Sequence, residues 1–203
     1  MDKVITIGRE FGSGGREIGI KLAERLGIPF YDKEIITLAA ETGGIDPQLV
    51  ARNEEGASHV TNRSKGRMQF FSFSYAPDFS DAIYLQQCKV IKDLAANGPC
   101  VIVGRCSDHV LRNEGSINIF IAASMPYKIQ RKRLVAIEKK DYTDEQMARY
   151  INDMNAARAN YYNHYTGGKW GNSGTYHLCV HSDLVGVEGS VETILTYLQN
   201  MQK

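Results

Sequence analysis

The first 27 residues constrain the fold of this chain more than any other stretch. Val4-Ile5-Thr6-Ile7 is short, apolar and β-branched, which predicts a buried strand. Gly12, Gly14 and Gly15 follow, and glycine turns a backbone through positive φ without steric cost, so successive N–H groups can face one point. Ile18, Leu22 and Leu26 then recur at i, i+4 and i+8, while Glu17, Lys21, Glu24 and Arg25 lie mostly off that stripe. This is an amphipathic helix, with Gly27 placed to close it. A strand, a glycine turn and a helix N-terminus in that order make an anion site, because unpaired N–H groups and the positive end of the helix dipole point the same way.

The loop approaches the phosphate-binding template G-x-x-x-x-G-K-[ST] without matching it. With the template's second glycine on Gly14, its lysine falls on Gly15 and its first glycine on Arg9. The cations within reach of a phosphate are Arg9 and Arg16, and either stands as a replacement for the lysine. Arginine restores the charge with a planar, bidentate geometry that lysine lacks. A turn with no ligand is the plain alternative, and the crowding of Gly8, Gly12, Gly14, Gly15 and two arginines into nine residues weighs against it.

At 203 residues the length suits one domain with a sizeable core. A net charge of +1 gives no case for wholesale nucleic-acid binding. No 18-residue apolar run or signal-like start is present, so no membrane partner is expected and the expected location is cytoplasmic. Cys88, Cys100, Cys106 and Cys179 form no C-x-x-C pair, and three of them sit in apolar patterns, where cysteine is a small hydrophobe rather than a zinc ligand.

Further along, Phe30-Tyr31 suits a short strand, and Asp32 is placed to cap a helix over 34–41. From 43 to about 80 the pattern loosens: Asp46-Pro47 suggests a helix start, and Arg63, Lys65 and Arg67 precede an aromatic cluster of Phe70, Phe71, Phe73, Tyr75 and Phe79. A helix over 81–97 ends at Gly98-Pro99, and Cys100 to Val103 reads as a central parallel strand ending in Gly104-Arg105. Ligands bind beyond the carboxyl ends of such strands, which makes Arg105 a strong site candidate, with Asp108 close enough in sequence to orient it. Another strand at 117–121 leads to a helix beginning near Pro126 that carries Lys128, Arg131, Lys132, Arg133, Lys139 and Lys140. Arg131 and Arg133 are two apart and cannot share a helix face, so at most one reaches a site. Thr143 or Asp144 caps the next helix, read as running to Arg158. A last strand at 176–181 and a helix bearing Val187, Val191, Ile194, Leu195 and Leu198 on its core face complete the pattern. Strands alternating with helices call for a parallel five-stranded sheet flanked by helices, an α/β fold of three layers.

The opening Ile5-Thr6-Ile7-Gly8-Arg9-Glu10-Phe11-Gly12-Ser13-Gly14-Gly15-Arg16-Glu17-Ile18-Gly19, continued through Gly27, resembles the start of the cytidylate kinase-like proteins, within the nucleoside monophosphate kinases of the P-loop NTPases. Tyr161-Tyr162 and Tyr165-Thr166-Gly167 to Trp170 resemble a second segment of that family. The resemblance implies one kinase domain with a core at 1–42 and 81–203, an acceptor-binding insertion at about 43–80 and a lid at about 139–172. It implies phosphoryl transfer from ATP, with Mg2+, to a nucleoside monophosphate such as CMP or dCMP. Donor binding then falls to Arg9, Gly12, Ser13, Gly14, Gly15, Arg16 and Glu17, with Glu17 as the magnesium ligand. Acceptor binding falls to Asp32, Arg63, Arg67, Arg105 and Asp108, and catalysis to Arg16, Arg105, Arg131 and Arg158. A homodimer through the aromatic stretch is left open. Two departures stand out: Gly15 replaces the lysine, and Asn155 replaces the carboxylate of an Asp-x-x-Arg pair. A nucleotide-binding protein with little turnover is the alternative that these departures raise.

Overall fold

The computed structural model describes residues 3–43, 77–135 and 141–201. Five parallel strands form one sheet: β1 (Ile5–Arg9), β2 (Phe30–Tyr31), β3 (Val101–Val103), β4 (Ile117–Ala122) and β5 (Leu178–His181), in the order β2-β3-β1-β4-β5. The central strand β1 pairs with β3, Ile7 opposite Val103, and with β4, Ile7 opposite Ile119. The chain therefore runs from β1 to the far edge at β2, returns to lay β3 beside β1, and then crosses to β4 and β5 on the other side. Such a reversal opens a crevice at the carboxyl ends of the strands, and the glycine loop sits there, directly after β1.

Helices cover both faces, as an all-parallel sheet requires. On one face, α1 (Gly15–Leu26) and the final helix, α7 (Ser182–Asn200), bury Ile18, Leu22, Val191, Ile194 and Leu198 against Ile5, Ile7, Val101, Val103, Ile119 and Ile121. On the other, α2 (Glu34–Gly43) and α3 (Pro77–Ala96) bury Ile35, Ala39, Val90 and Ile91 against Cys100, Ile102 and Leu111. Alternate residues of β3 thus serve opposite cores, which is the period-two geometry of a strand buried on both sides. A short helix, α4 (Ser107–Val110), follows β3; α5 (Met125–Val135) and α6 (Asp144–Thr166) lie between β4 and β5.

The three-layer α/β fold and the positions of all five strands follow the sequence expectations closely. The helices differ at their ends. α3 starts at Pro77 rather than near 81, with Pro77 at a first-turn position where its missing N–H costs nothing. α6 does not stop at Arg158 but continues to Thr166. Tyr165 on this extension stacks on Tyr84 of α3 with ring centroids 3.9 Å apart, so tertiary packing carries the helix onward. Thr143, not Asp144, is the cap: its hydroxyl accepts from the Gln146 N–H, and the Gln146 side chain accepts from the Thr143 N–H. α7 begins at Ser182 and kinks at Gly186, where φ is 70°. The helix start at Asp46-Pro47, Arg63, Lys65, Arg67, the aromatics at 70–75, Lys139 and Lys140 lie outside the described residues. Among the described residues no helix is long and apolar enough to cross a membrane.

Candidate active site

The loop after β1 turns through Gly12 at φ 86° and Gly14 at φ 82°, and α1 starts at Gly15. No side chain caps α1, so its first-turn N–H groups face the loop without intrahelical acceptors. The loop's shape is fixed from four directions. The Ser13 hydroxyl donates to the Glu10 carbonyl at 2.9 Å, and the Phe11 N–H donates to Asn155 Oδ1 at 2.7 Å. The buried Ser182 hydroxyl, at the start of α7, donates to the Ser13 carbonyl at 2.6 Å. The Glu10 carboxylate accepts from the Ala123 N–H at 3.1 Å and from the buried Lys128 ammonium at 2.9 Å. Asn155 therefore supports the loop directly. Its side-chain carbonyl accepts from the backbone as a carboxylate would, without bringing a negative charge beside the loop.

Two arginines pair with one buried carboxylate next to this loop, and two more lie beside them. Asp32, at the end of β2, accepts from Arg16 Nε at 2.9 Å on one oxygen and from Arg9 Nη2 at 3.4 Å on the other. Arg158 donates from Nη1 to the Arg9 carbonyl at 3.0 Å. Burial, together with the positive charges of Arg9 and Arg105, pulls the Arg158 pKa down to about 9. A guanidinium with that value is still charged at neutral pH, so the cluster carries more positive charge than Asp32 offsets. Arg105 enters from the turn after β3 in a left-handed conformation, φ 60°, as does Cys106, φ 55°. Asp108, behind it, is buried and accepts from the Tyr162 hydroxyl at 2.7 Å; burial raises its pKa.

On the other side of the loop, Arg131 of α5 lies over Gly14: a Cβ there would come 3.2 Å from its Cζ. It pairs with Glu17 at 2.6 Å. Arg133 faces outward and pairs with Asp144. Of the two arginines that the sequence left undecided, Arg131 is the one at the loop. Lys132 extends over the Phe11 ring, 3.8 Å from its centroid, and burial with neighbouring Arg158 and Arg131 lowers its pKa to about 8.

The structure therefore brings Arg9, Gly12, Ser13, Gly14, Gly15, Arg16, Glu17, Asp32, Arg105, Arg131 and Arg158 to one edge of the sheet, while Arg63 and Arg67 lie outside the described residues. Asp32 commits its carboxylate to arginines and does not hold the helix start; its own N–H donates to the Glu34 carboxylate at 2.9 Å. Glu10, Lys128, Lys132, Asn155 and Ser182 support the loop, and as loop contacts they were missed. Lys128 and Lys132 carried a signal as basic residues on α5, and Asn155 as a departure from the Asp-x-x-Arg pattern; Glu10 and Ser182 carried none. Chemically, the arrangement offers backbone donors at a helix N-terminus and, beside them, a partly buried cationic basin. That combination holds a multiply charged anion.

No curated protein matches the chain. Among solved structures it is similar to an uncharacterized protein from Eubacterium ventriosum, 27% identical with a TM-score of 0.69, covering 97% of this chain and 98% of that one. It also shares its fold with a shikimate kinase from Bacteroides thetaiotaomicron, 14% identical with a TM-score of 0.58, covering 98% and 99%. A shikimate kinase from Acinetobacter baumannii in complex with shikimate is 15% identical with a TM-score of 0.55, covering 100% and 96%. Residues 4–184, a span that includes all five strands, match the model of the cytidylate kinase-like family, and the chain belongs to that family.

Proposed function

We propose that this chain is a phosphotransferase that moves a phosphoryl group from ATP to a nucleoside monophosphate, CMP or dCMP, or to a related small acceptor. The observation that carries this reading is the concentration of positive charge at the site: Arg9 and Arg16 pair with Asp32, Arg158 donates to the Arg9 carbonyl, and burial together with the charges of Arg9 and Arg105 depresses the Arg158 pKa. Like charges held close together repel, and a bound polyanion relieves that repulsion. A site built for one phosphate needs fewer cations; one built for a donor chain and an acceptor phosphate needs about this many.

The roles divide by position. The N–H groups from Gly12 to Glu17 hold the donor phosphates, and Arg131 covers them from α5. Arg105, with Arg63 and Arg67 from the 43–80 segment, holds the acceptor phosphate, while Asp108 and Tyr162 back the turn that carries Arg105. Asp32 aims Arg9 and Arg16, and Arg158 ties α6 to the end of β1. Such a site works by alignment and charge neutralisation, with no covalent step on the protein. Mg2+ fits the donor set: it takes one or two carboxylates along with phosphate oxygens and water, and Glu17 is a half-exposed carboxylate at the mouth of the loop. Glu17 would hold the ion there, and the ion would supply neutralisation of the donor's charge.

The test is an ADP-release assay with Mg2+ and ATP against CMP, dCMP, UMP, AMP and GMP, beside calorimetry with ATP alone. Turnover with CMP or dCMP is the expected result. ATP binding without turnover on any acceptor would leave the second reading, a nucleotide-binding protein, which the glycine at position 15 favours. Absence of ATP binding would remove both.

A further inference from the structure

We infer that the cation missing from the helix start has moved to the end of β1: Arg9 takes the place of the template lysine, and Gly15 and Gly104 are glycines because its side chain lies across them. This rests on the reading of the loop as a donor-phosphate site. The steric facts are specific. A Cβ at Gly15 would come 2.5 Å from Arg9 Cβ and 3.1 Å from its Cγ. A Cβ at Gly104 would come 1.9 Å from Arg9 Nη1 and 2.8 Å from Cζ. Real Cβ atoms do not approach other atoms that closely, so the stem of Arg9 occupies the space above Gly15 and its head the space above Gly104.

The template positions make this an exchange. Where the template has glycine first and lysine after its second glycine, this chain has arginine first and glycine after. A lysine at 15 would begin where the Arg9 stem now lies. The cation thus enters the same region from β1 instead of from α1. Its head ends between Asp32 and Gly104, at the boundary between the donor loop and the turn carrying Arg105. Arg16 does not fill this role: although it shares Asp32 with Arg9, its guanidinium lies over the Phe30 ring, 5.7 Å from the centroid, and half its side chain is exposed.

The exchange predicts a specific non-additivity. Calorimetry with inorganic tripolyphosphate, a probe that carries no base, and with Mg2+ and ATP would compare the full chain with R9G, G15K and the R9G/G15K double variant. R9G should weaken binding at least tenfold by loss of the cation. G15K should also weaken it at least tenfold, because its stem collides with Arg9. The double variant should recover to within about threefold of the starting protein. Arg9→Gln keeps the stem that packs on Gly15 and removes only the charge; it should lose binding with little change in thermal midpoint, which separates a binding role from a folding defect. Additive losses in the double variant, or intact binding in Arg9→Gln with loss in Arg16→Ala, would overturn the exchange and leave the donor-site reading standing. A starting protein that binds neither probe would overturn the donor-site reading itself.

Discussion

Two turns lie side by side at the carboxyl edge of the sheet, and they are built on opposite principles. The turn after β1 reaches positive φ at Gly12 and Gly14, where no Cβ opposes it. The turn after β3 reaches positive φ at Gly104 and then holds it through Arg105 and Cys106, two residues that disfavour that region. The first turn presents backbone: N–H groups, a helix start and little else. The second presents a side chain, Arg105, from a backbone kept in a strained shape by a buried thiol and by α4 behind it. A phosphate bound by main-chain donors needs close approach, and glycine permits it. A phosphate bound by a guanidinium needs a fixed direction, and a left-handed residue with a packed neighbour supplies it.

If that division is right, the two turns should fail differently. Arg105→Ala should raise the acceptor KM by roughly tenfold to a hundredfold, the usual cost of a charged hydrogen bond, while ATP affinity stays within twofold. Loss of ATP affinity instead would move Arg105 to the donor side. Gly14→Ala should do the reverse, weakening ATP about tenfold through left-handed strain and contact with Arg131, with the acceptor KM little changed. The pH dependence sharpens the donor side further. Lys132 beside the loop has its pKa lowered to about 8, so raising the pH from 7 to 9 removes its charge and should weaken ATP by several-fold. Lys132→Met should flatten that profile, and a profile that stays steep would exclude Lys132. The same shift acts on stability with the opposite sense. The unfolded lysine keeps its proton to higher pH than the folded one, so the ligand-free protein gains stability as pH rises from about 8 toward the unfolded value. The smallest effect tests strain alone: Arg105→Gly should be more stable than Arg105→Ala by about 1 kcal/mol, a rise of about 2–4 °C in thermal midpoint. Equal midpoints would mean that the turn after β3 is not strained.

The fold was legible because its signals are local. A β-branched run followed by glycines and an i, i+4, i+8 stripe names a strand, a turn and a helix from 27 residues alone. The position of Arg105 beyond the end of β3 was legible for the same reason, since it follows a continuous apolar strand. What stayed hidden depends on contacts far apart in sequence. Glu10 meets Lys128, and Asp32 meets both Arg9 and Arg16, only once the sheet has formed. The choice between Arg131 and Arg133 has no local sign, since it turns on the rotation of α5, and neither has the placement of the Arg9 stem over Gly15. Asn155 looked like a defect against the family pattern and proves to hold the Phe11 N–H. The extension of α6 to Thr166 rests on ring stacking with α3, which no period along α6 encodes.

Ser182 gives the architecture a temporal side. Its hydroxyl is shared between the carbonyls of Ser13 and Ala122, so the glycine loop is fastened by a residue 169 positions later. On the ribosome, the glycine turn emerges long before its clasp has been synthesised. The nascent polypeptide therefore cannot fasten the loop in this way until β5 and the first residue of α7 have been made. A loop fastened this way lacks its clasp through most of translation, until the chain has been made as far as Ser182.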